Sequence, residues 1–419
     1  MTNPLNGLVR DNSHDDAPAS IAGSGFAMAC QVVAVERGYT TRGEAVERVL
    51  TALRFLWSAD QGRGARATGH RGFFYHFLDM ATGARWRRCE LSSIDTALLM
   101  AGVLVSAAYF DGENAQEREL RLLADSLYRR VEWDWMLDSQ GAVSNGWRPE
   151  RGFIPYAYTG YNEALFLYVI ALASPTHPVP AASYARWLST YRWKSIYGYD
   201  FLYAGPLFIH QTSHAWIDFR GIRDAFMGAR GIDYFENSRR ATYIQQEYGR
   251  RNPRGFRGYS ELAWGITASD GPGPAQRMVG GRLRRFYGYR ARGVPHGADD
   301  GTLSPWAVAA SLPFAPEIVV PTLAAVDSAF PEVTGEFGYE CSFNPSFDAG
   351  EAQDDGASER RKSAAGWIGT HSYAINQGPV VMMLENHRSE LIWRLTRRSP
   401  YFVEGLRRAG FNGGWLESL

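Results

Sequence analysis

Apolar residues recur at three- and four-residue steps along most of the chain, a period that predicts helices rather than strands. Over 41–59, Val46, Val49, Leu50, Leu53 and Leu56 share one face and leave Glu44, Glu47 and Arg48 largely outside. The stretch 92–110 opens on Ser92-Ser-Ile-Asp95, a capping-box spacing, and runs on through Leu98, Leu99, Val103 and Leu104. Shorter helical patterns cover 116–133, 162–173, 181–191, 213–229, 237–248, 306–310, 316–329, 378–388 and 400–408. Strict alternation is rare, and its two candidates, 72–77 and 335–343, read as loop hairpins rather than strands of a central sheet. The polar run 346–365 is expected to be weakly structured, and nothing else resembles a linker, so residues 1–419 read as a single domain. The expected fold class is all-α. About a dozen helices with long polar loops after alternate members fit a closed double ring, whose rim loops would build a funnel.

Composition narrows the partners. The 419 residues carry 44 basic and 44 acidic side chains, a formal net charge of zero. Without a clustered positive surplus, neither nucleic acid nor a membrane surface is an expected partner. The longest uncharged apolar stretch, 96–110, is shorter than the roughly 20 residues a bilayer span needs and reads as a buried helix. The first thirty residues lack a basic region followed by an apolar core, and Asp11, Asp15 and Asp16 oppose a secretory signal, so compartment is left open. Cys30, Cys89 and Cys341 are too widely spaced for a zinc site or a disulfide framework and read as buried thiols. All basic residues but Lys194 and Lys362 are arginine, which fits coding bias. Aromatic residues make up 14% of the chain and gather at glycine loops; their flat faces suit either loop packing or sugar rings.

Several clusters could carry chemistry. Glu90 and Asp95 flank the entrance of the 92–110 helix, where unpaired backbone N–H groups favour ionised carboxylates. Asp95 there is equally explained as a capping residue. Glu163, in Tyr158-Thr-Gly-Tyr-Asn-Glu163, starts an apolar helix. Burial would raise its pKa towards that of a general acid while a helix N-terminus would lower it, and the sign stays open at this level. The stretch 214–240 mixes Trp216, Asp218, Asp224, Asp233 and Glu236 with Arg220, Arg223, Arg239 and Arg240, and mutual ion pairing accounts for most of it. Trp264 and Asp270 lie in one glycine loop and Asp300 in another, as stacking and hydrogen bonding to a polyol require, although Asp-Gly also makes ordinary turns. No phosphate-binding, dinucleotide, zincin or serine-hydrolase motif is present.

Taken together, Gly7-Leu-Val-Arg-Asp11, Gly72-Phe-Phe-Tyr-His-Phe77, Glu90-Leu-Ser-Ser-Ile-Asp95, Tyr161-Asn-Glu163, Asp233-Tyr-Phe-Glu-Asn-Ser238, Trp264-Gly-Ile-Thr-Ala-Ser-Asp-Gly-Pro272, Asp299-Asp-Gly301 and Gln377-Gly-Pro379 resemble the bacterial proteins labelled putative glucoamylases, among which are endo-β-1,2-glucanases. The resemblance spans nearly the whole chain. It implies an (α/α)6 barrel with short β-hairpins in its rim loops, a glucan cleft, endo-acting hydrolysis of β-1,2-glucan and no cofactor or metal. By the same likeness Glu163 matches the glutamate proposed as general acid, and Asp95 and Glu90 match acidic positions near the reacting sugar. Where relatives carry Ile-Asp-Gln-Gly-Pro, this chain has Ile375-Asn-Gln-Gly-Pro379, one carboxylate fewer.

These readings give Glu163 as acid, Asp95 as leading base and Glu90 behind it. Trp216, Asp218, Arg220, Glu236, Trp264, Asp270, Asp300, Asn376 and Gln377 are the candidate contacts to an oligosaccharide or polysaccharide. Two other readings stand beside this one: a retaining transglycosylase or hydrolase of another β-glucan, and a catalytically silent glucan-binding protein motivated by Asn376. Oligomeric state is not legible.

Overall fold

The computed structural model describes residues 1–347 and 364–418. Most of the polar run expected to be weakly structured, 348–363, lies outside the described residues. Helices dominate and the sheets are small, with no strand longer than five residues among those described. The chain forms two compact units, Met1–Tyr191 with Ser213–Tyr234 and Arg388–Leu419, and Arg192–Thr212 with Phe235–His387.

The first unit is built on helices whose ends the sequence writes clearly. Helix α1 (Ile21–Glu36) starts at Ser20, whose hydroxyl accepts from the Gly23 N–H. Helix α2 (Arg42–Ser58) starts at Thr41, and Thr41 and Glu44 close a reciprocal capping box. Helix α3 (Ser93–Tyr109) starts at Ser92, and α4 (Ala115–Arg130) at Asn114. Helix α5 (Leu165–Leu172) has no side-chain cap and is buried at every residue, each large aliphatic side chain contributing about 1.5–3 kcal/mol on transfer from water. Helix α3 is apolar on nearly all sides, which suits an interior helix. It packs on α1 backbone to backbone: a Cβ at Gly25 would collide with the Leu98 carbonyl, and one at Gly102 with the Gly25 carbonyl.

Two expectations fail here for local reasons. The 72–77 segment is part of a five-stranded antiparallel sheet, β1 (Gly69–His70), β2 (Phe73–Tyr75), β3 (Leu91–Ser92), β4 (Gly146–Arg148) and β5 (Gly152–Phe153), in that spatial order. All three β2 residues are buried, so alternation could not report them. The 213–229 helix is in fact interrupted. One helix ends at Trp216, and a single turn, Ala225–Gly228, follows. Between them the Asp218 carboxylate accepts from the Arg220 N–H at 3.0 Å, and Gly221 adopts φ +76°, which stops helical propagation.

The second unit holds most of the helix Tyr234–Arg251, the helices Pro305–Ala309 and Pro316–Ala329, and most of Ala374–Ser389. Its two longest hairpins, Trp193–Ile196 with Tyr199–Leu202 and Ala275–Val279 with Arg282–Phe286, are absent from the sequence-based expectations. One core gathers Tyr248, Phe256, Tyr259, Ile266 and Phe343, and a second gathers Trp264, Trp306, Val308 and Val319. Cys341 is buried as expected, whereas Cys30 and Cys89 are only half-buried; all three are free thiols. No helix among the described residues is long and apolar enough to cross a membrane.

Candidate active site

Glu90, Asp95, Glu163 and an unforeseen histidine meet in the first unit. The register of β2 against β3 pairs Phe74 with Ser92 and Tyr75 with Leu91. One step beyond, the His76 N–H donates to the Glu90 carbonyl at 2.9 Å. The same register brings the side chains together: His76 Nδ1 lies 2.9 Å from Glu90 Oε1, and Nε2 lies 3.6 Å from Asp95 Oδ1. The remaining Glu90 oxygen accepts from Arg148, on β4, at 3.2 Å. Asp95 is held from below, because the Ser92 hydroxyl donates to Oδ2 while accepting from the Asp95 N–H at 3.2 Å. The capping reading of Asp95 is thus realised, yet Oδ1 is left facing the histidine.

The electrostatics follow from these contacts. Burial alone would pull the His76 imidazole down, but Asp95 and the hydrogen-bonded Glu90 outweigh it and push it up to about 9. In return the His76 hydrogen bond, helped by Arg148, holds Glu90 down at about 2 against the opposing effect of burial.

Glu163 has the opposite environment. Its helix begins at Leu165, not at 162, because the Asn162 side chain accepts from the Ala164 N–H at 3.0 Å and closes a turn first. The glutamate therefore precedes the first helical turn. The Ser213 hydroxyl anchors its carbonyl at 3.2 Å. Its carboxyl keeps some solvent exposure although protein atoms surround it closely. Burial raises it, its own backbone N–H partly opposes this, and the negative charge of Asp95 adds to the rise. Desolvation wins over the helix terminus, which answers the sign left open by sequence. Buried Tyr158 sits within electrostatic reach of Glu163, Asp95 and Glu90 together. Chemically, the arrangement offers one carboxyl pushed towards its protonated form, Glu163, beside two carboxyls that share an imidazole, Glu90 and Asp95.

The other candidates fall elsewhere. Trp216 is fully buried and stacks on Phe26 at 5.1 Å, so it packs the interior and presents no face to a sugar. Trp264 is likewise buried, its indole N–H donating to Thr322 at 2.9 Å. Asp218 and Arg220 form a bidentate pair at 2.8 and 2.9 Å, extended by Arg397 and Glu390 and covered by Trp393. Asp300 is locked to Arg292 at 2.7 and 2.9 Å and also accepts from the Tyr287 N–H at 2.8 Å. Core packing accounts for the two tryptophans, and ion pairing accounts for Asp218, Arg220 and Asp300. Glu236 pairs with Arg240 one turn along its helix at 2.7 Å. Asp270, half-buried, accepts from the Tyr373 hydroxyl at 2.6 Å. Asn376 contacts Cys341, and Gln377 donates to the Tyr339 carbonyl at 2.9 Å. His76 was missed because only cross-strand register, not spacing along the chain, brings it to Glu90 and Asp95. Among the described residues no group of His, Cys, Asp and Glu side chains is arranged to hold a metal ion.

The family model Glycoamylase, described as "Putative glucoamylase", matches residues 155–400. An exo β-1,2-glucooligosaccharide sophorohydrolase (non-reducing end) of Parabacteroides distasonis is 28% identical over 97% of this chain; the chain spans 55% of that protein, about half its length. Among solved structures, one from Bacteroides uniformis, titled a putative glucoamylase, is 28% identical with a TM-score of 0.84, over 99% of this chain and 94% of that one. An endo-β-1,2-glucanase of Chitinophaga pinensis, solved with sophorotriose and glucose, is 27% identical with a TM-score of 0.82, over 99% and 95%.

Proposed function

This chain belongs to the Glycoamylase family, and from that premise we propose that it is a glycoside hydrolase cleaving β-1,2-linked glucan by acid/base catalysis. Glu163 is the general acid in this reading, and Asp95 is the general base. The observation that carries it is the contrast of environments inside one cluster: burial and the charge of Asp95 push Glu163 up, while His76 faces Asp95 and Glu90 with both ring nitrogens. A glycosidase needs that asymmetry, one carboxyl to protonate the leaving oxygen and one carboxylate to activate water or attack. Glu90 ranks behind Asp95 because both its oxygens are engaged, by His76 and Arg148.

The finer parts of the proposal are an (α/α)6 arrangement of the helices and endo-acting cleavage. The endo reading is favoured by coverage, since the chain accounts for 95% of the Chitinophaga endo-β-1,2-glucanase but 55% of the exo-acting sophorohydrolase. Digestion of linear β-1,2-glucan tests it. A ladder of β-1,2-oligosaccharides with a fast fall in mean chain length is expected. Sophorose alone would overturn the endo mode, and no cleavage of any β-1,2-glucan, linear or cyclic, would overturn the hydrolase. Polarimetry on the same digest assigns retention or inversion.

A further inference from the structure

We propose that His76 is the positioning residue of this site, a bridge between Glu90 and Asp95 that aims Asp95 as a base. The inference rests on the acid/base reading above and deepens it.

Four observations converge on the histidine. Its backbone is fixed by the β2–β3 register, so the ring leaves the sheet edge at a set point opposite Glu90. The ring stacks on Phe77 with centroids 3.9 Å apart and planes at 15°, which limits its rotation. Both ring nitrogens face carboxylate oxygens, Nδ1 towards Glu90 and Nε2 towards Asp95. Carboxylates only accept, so this geometry asks for N–H on both nitrogens, the imidazolium form. Finally, the two carboxylates are anchored on their far sides, Glu90 by Arg148 and Asp95 by Ser92. The histidine is the shared element of two otherwise separate anchors.

The bridge is asymmetric. The Glu90 contact is a full hydrogen bond, whereas 3.6 Å to Asp95 is an ion-pair distance too long for one. Glu90 acts as a tether for the ring, and Asp95 Oδ1 feels its charge without being capped by it. An oxygen in that condition is held in place with a lone pair still open to a proton. The charged groups acting on His76 are Glu90, just before β3, Asp95 in α3, and Asp11 from the N-terminal segment; Arg148 acts through Glu90, and Tyr158 lies beside the two carboxyls.

The test combines an activity profile with a readout independent of activity. With linear β-1,2-glucan as substrate, His76→Gln is expected to lower kcat on the order of 10²-fold with a smaller change in KM, since misplacing a reacting group costs about that much. His76→Lys, which keeps a cation opposite the two carboxyls, should recover part of the lost kcat. Separately, NMR titration of the histidine ring, assigned with His76→Asn, should show protonation persisting to about pH 9 in the parent and falling in Glu90→Gln. A His76→Gln protein that keeps the parental kcat, a His76→Lys protein no more active than His76→Gln, or a ring that titrates below pH 7 in the parent, would overturn the proposal. A parent protein that cleaves no β-1,2-glucan but shows the high-pH titration would instead remove the hydrolase reading and leave the bridge standing.

Discussion

Glu163 and Asp300 are two acids crowded by protein next to glycine-rich turns, and they have opposite fates. Asp300, in the second unit, has both oxygens taken by the Arg292 guanidinium and shares them with the Tyr287 and Thr302 N–H groups. Glu163, in the first, is met by its own backbone N–H and by the charge of Asp95. Crowding is common to both, so crowding does not single out the proposed acid. What separates them is compensation: a fully paired carboxylate holds a loop together, and an incompletely compensated one is pushed towards its protonated form.

The largest effect expected from that contrast is on Glu163. Glu163→Gln should lose about 10²- to 10⁴-fold in kcat on β-1,2-glucan while keeping its circular dichroism spectrum. Asp300→Asn, measured per folded molecule, should stay within about threefold of the parent, in keeping with its place in the scaffold. Equal kinetic losses in the two variants would break the comparison.

Arg292→Leu should leave Asp300 buried without its cation and cost about 3–5 kcal/mol in chemical denaturation. Unchanged stability would mean that Asp300 draws little from its partner.

Smaller and pH-dependent is the stability held in the His76 cluster. His76 is raised, so its contribution is complete below its ordinary 6.5 and is lost as pH climbs through about 9. Glu90 is depressed, so its contribution is complete above 4.5 and is lost as pH falls through about 2. Glu163 is raised, which makes its ionisation a cost as pH rises. Thermal melts should therefore be highest near pH 4.5 as far as these groups decide, and Glu163→Gln should flatten the decline that begins above it. A steeper decline there in the variant would reverse the sign assigned to Glu163.

The smallest effect belongs to Glu236, an acid paired on a helix surface with Arg240. Glu236→Ala should cost about 0.3–0.5 kcal/mol and leave KM for β-1,2-glucan in place. A severalfold rise in KM would return it to the sugar contacts.

How far the sequence reaches depends on whether the deciding interaction is local. The helices 316–329 and 400–408 coincide with Pro316–Ala329 and Pro400–Arg408, where a proline opens the first turn. Thr41 and Ser92 likewise announce α2 and α3. The local settings of Glu163 and Asp95 were legible because each sits in a recognisable turn or cap before an apolar run. His76 was not, because its partners lie 14 and 19 residues away and meet it through strand pairing that alternation does not show. The Trp216 and Trp264 assignments failed for another reason: an indole reads the same in sequence whether it lines a cleft or fills a core. The state of Glu163 needed the fold outright, because two opposing effects of similar size had to be compared in place.

The glycine crossing of α1 and α3 carries one more consequence. Gly102 lies seven residues beyond Asp95 on the same helix, about 10 Å along its axis. A methyl group there would have to push α3 away from α1, and a rigid rod passes that displacement on to its far end. On the proposed hydrolase reading, adding one carbon at Gly102 is a remote mechanical adjustment of where Asp95 stands, felt in the rate without a change at the site itself.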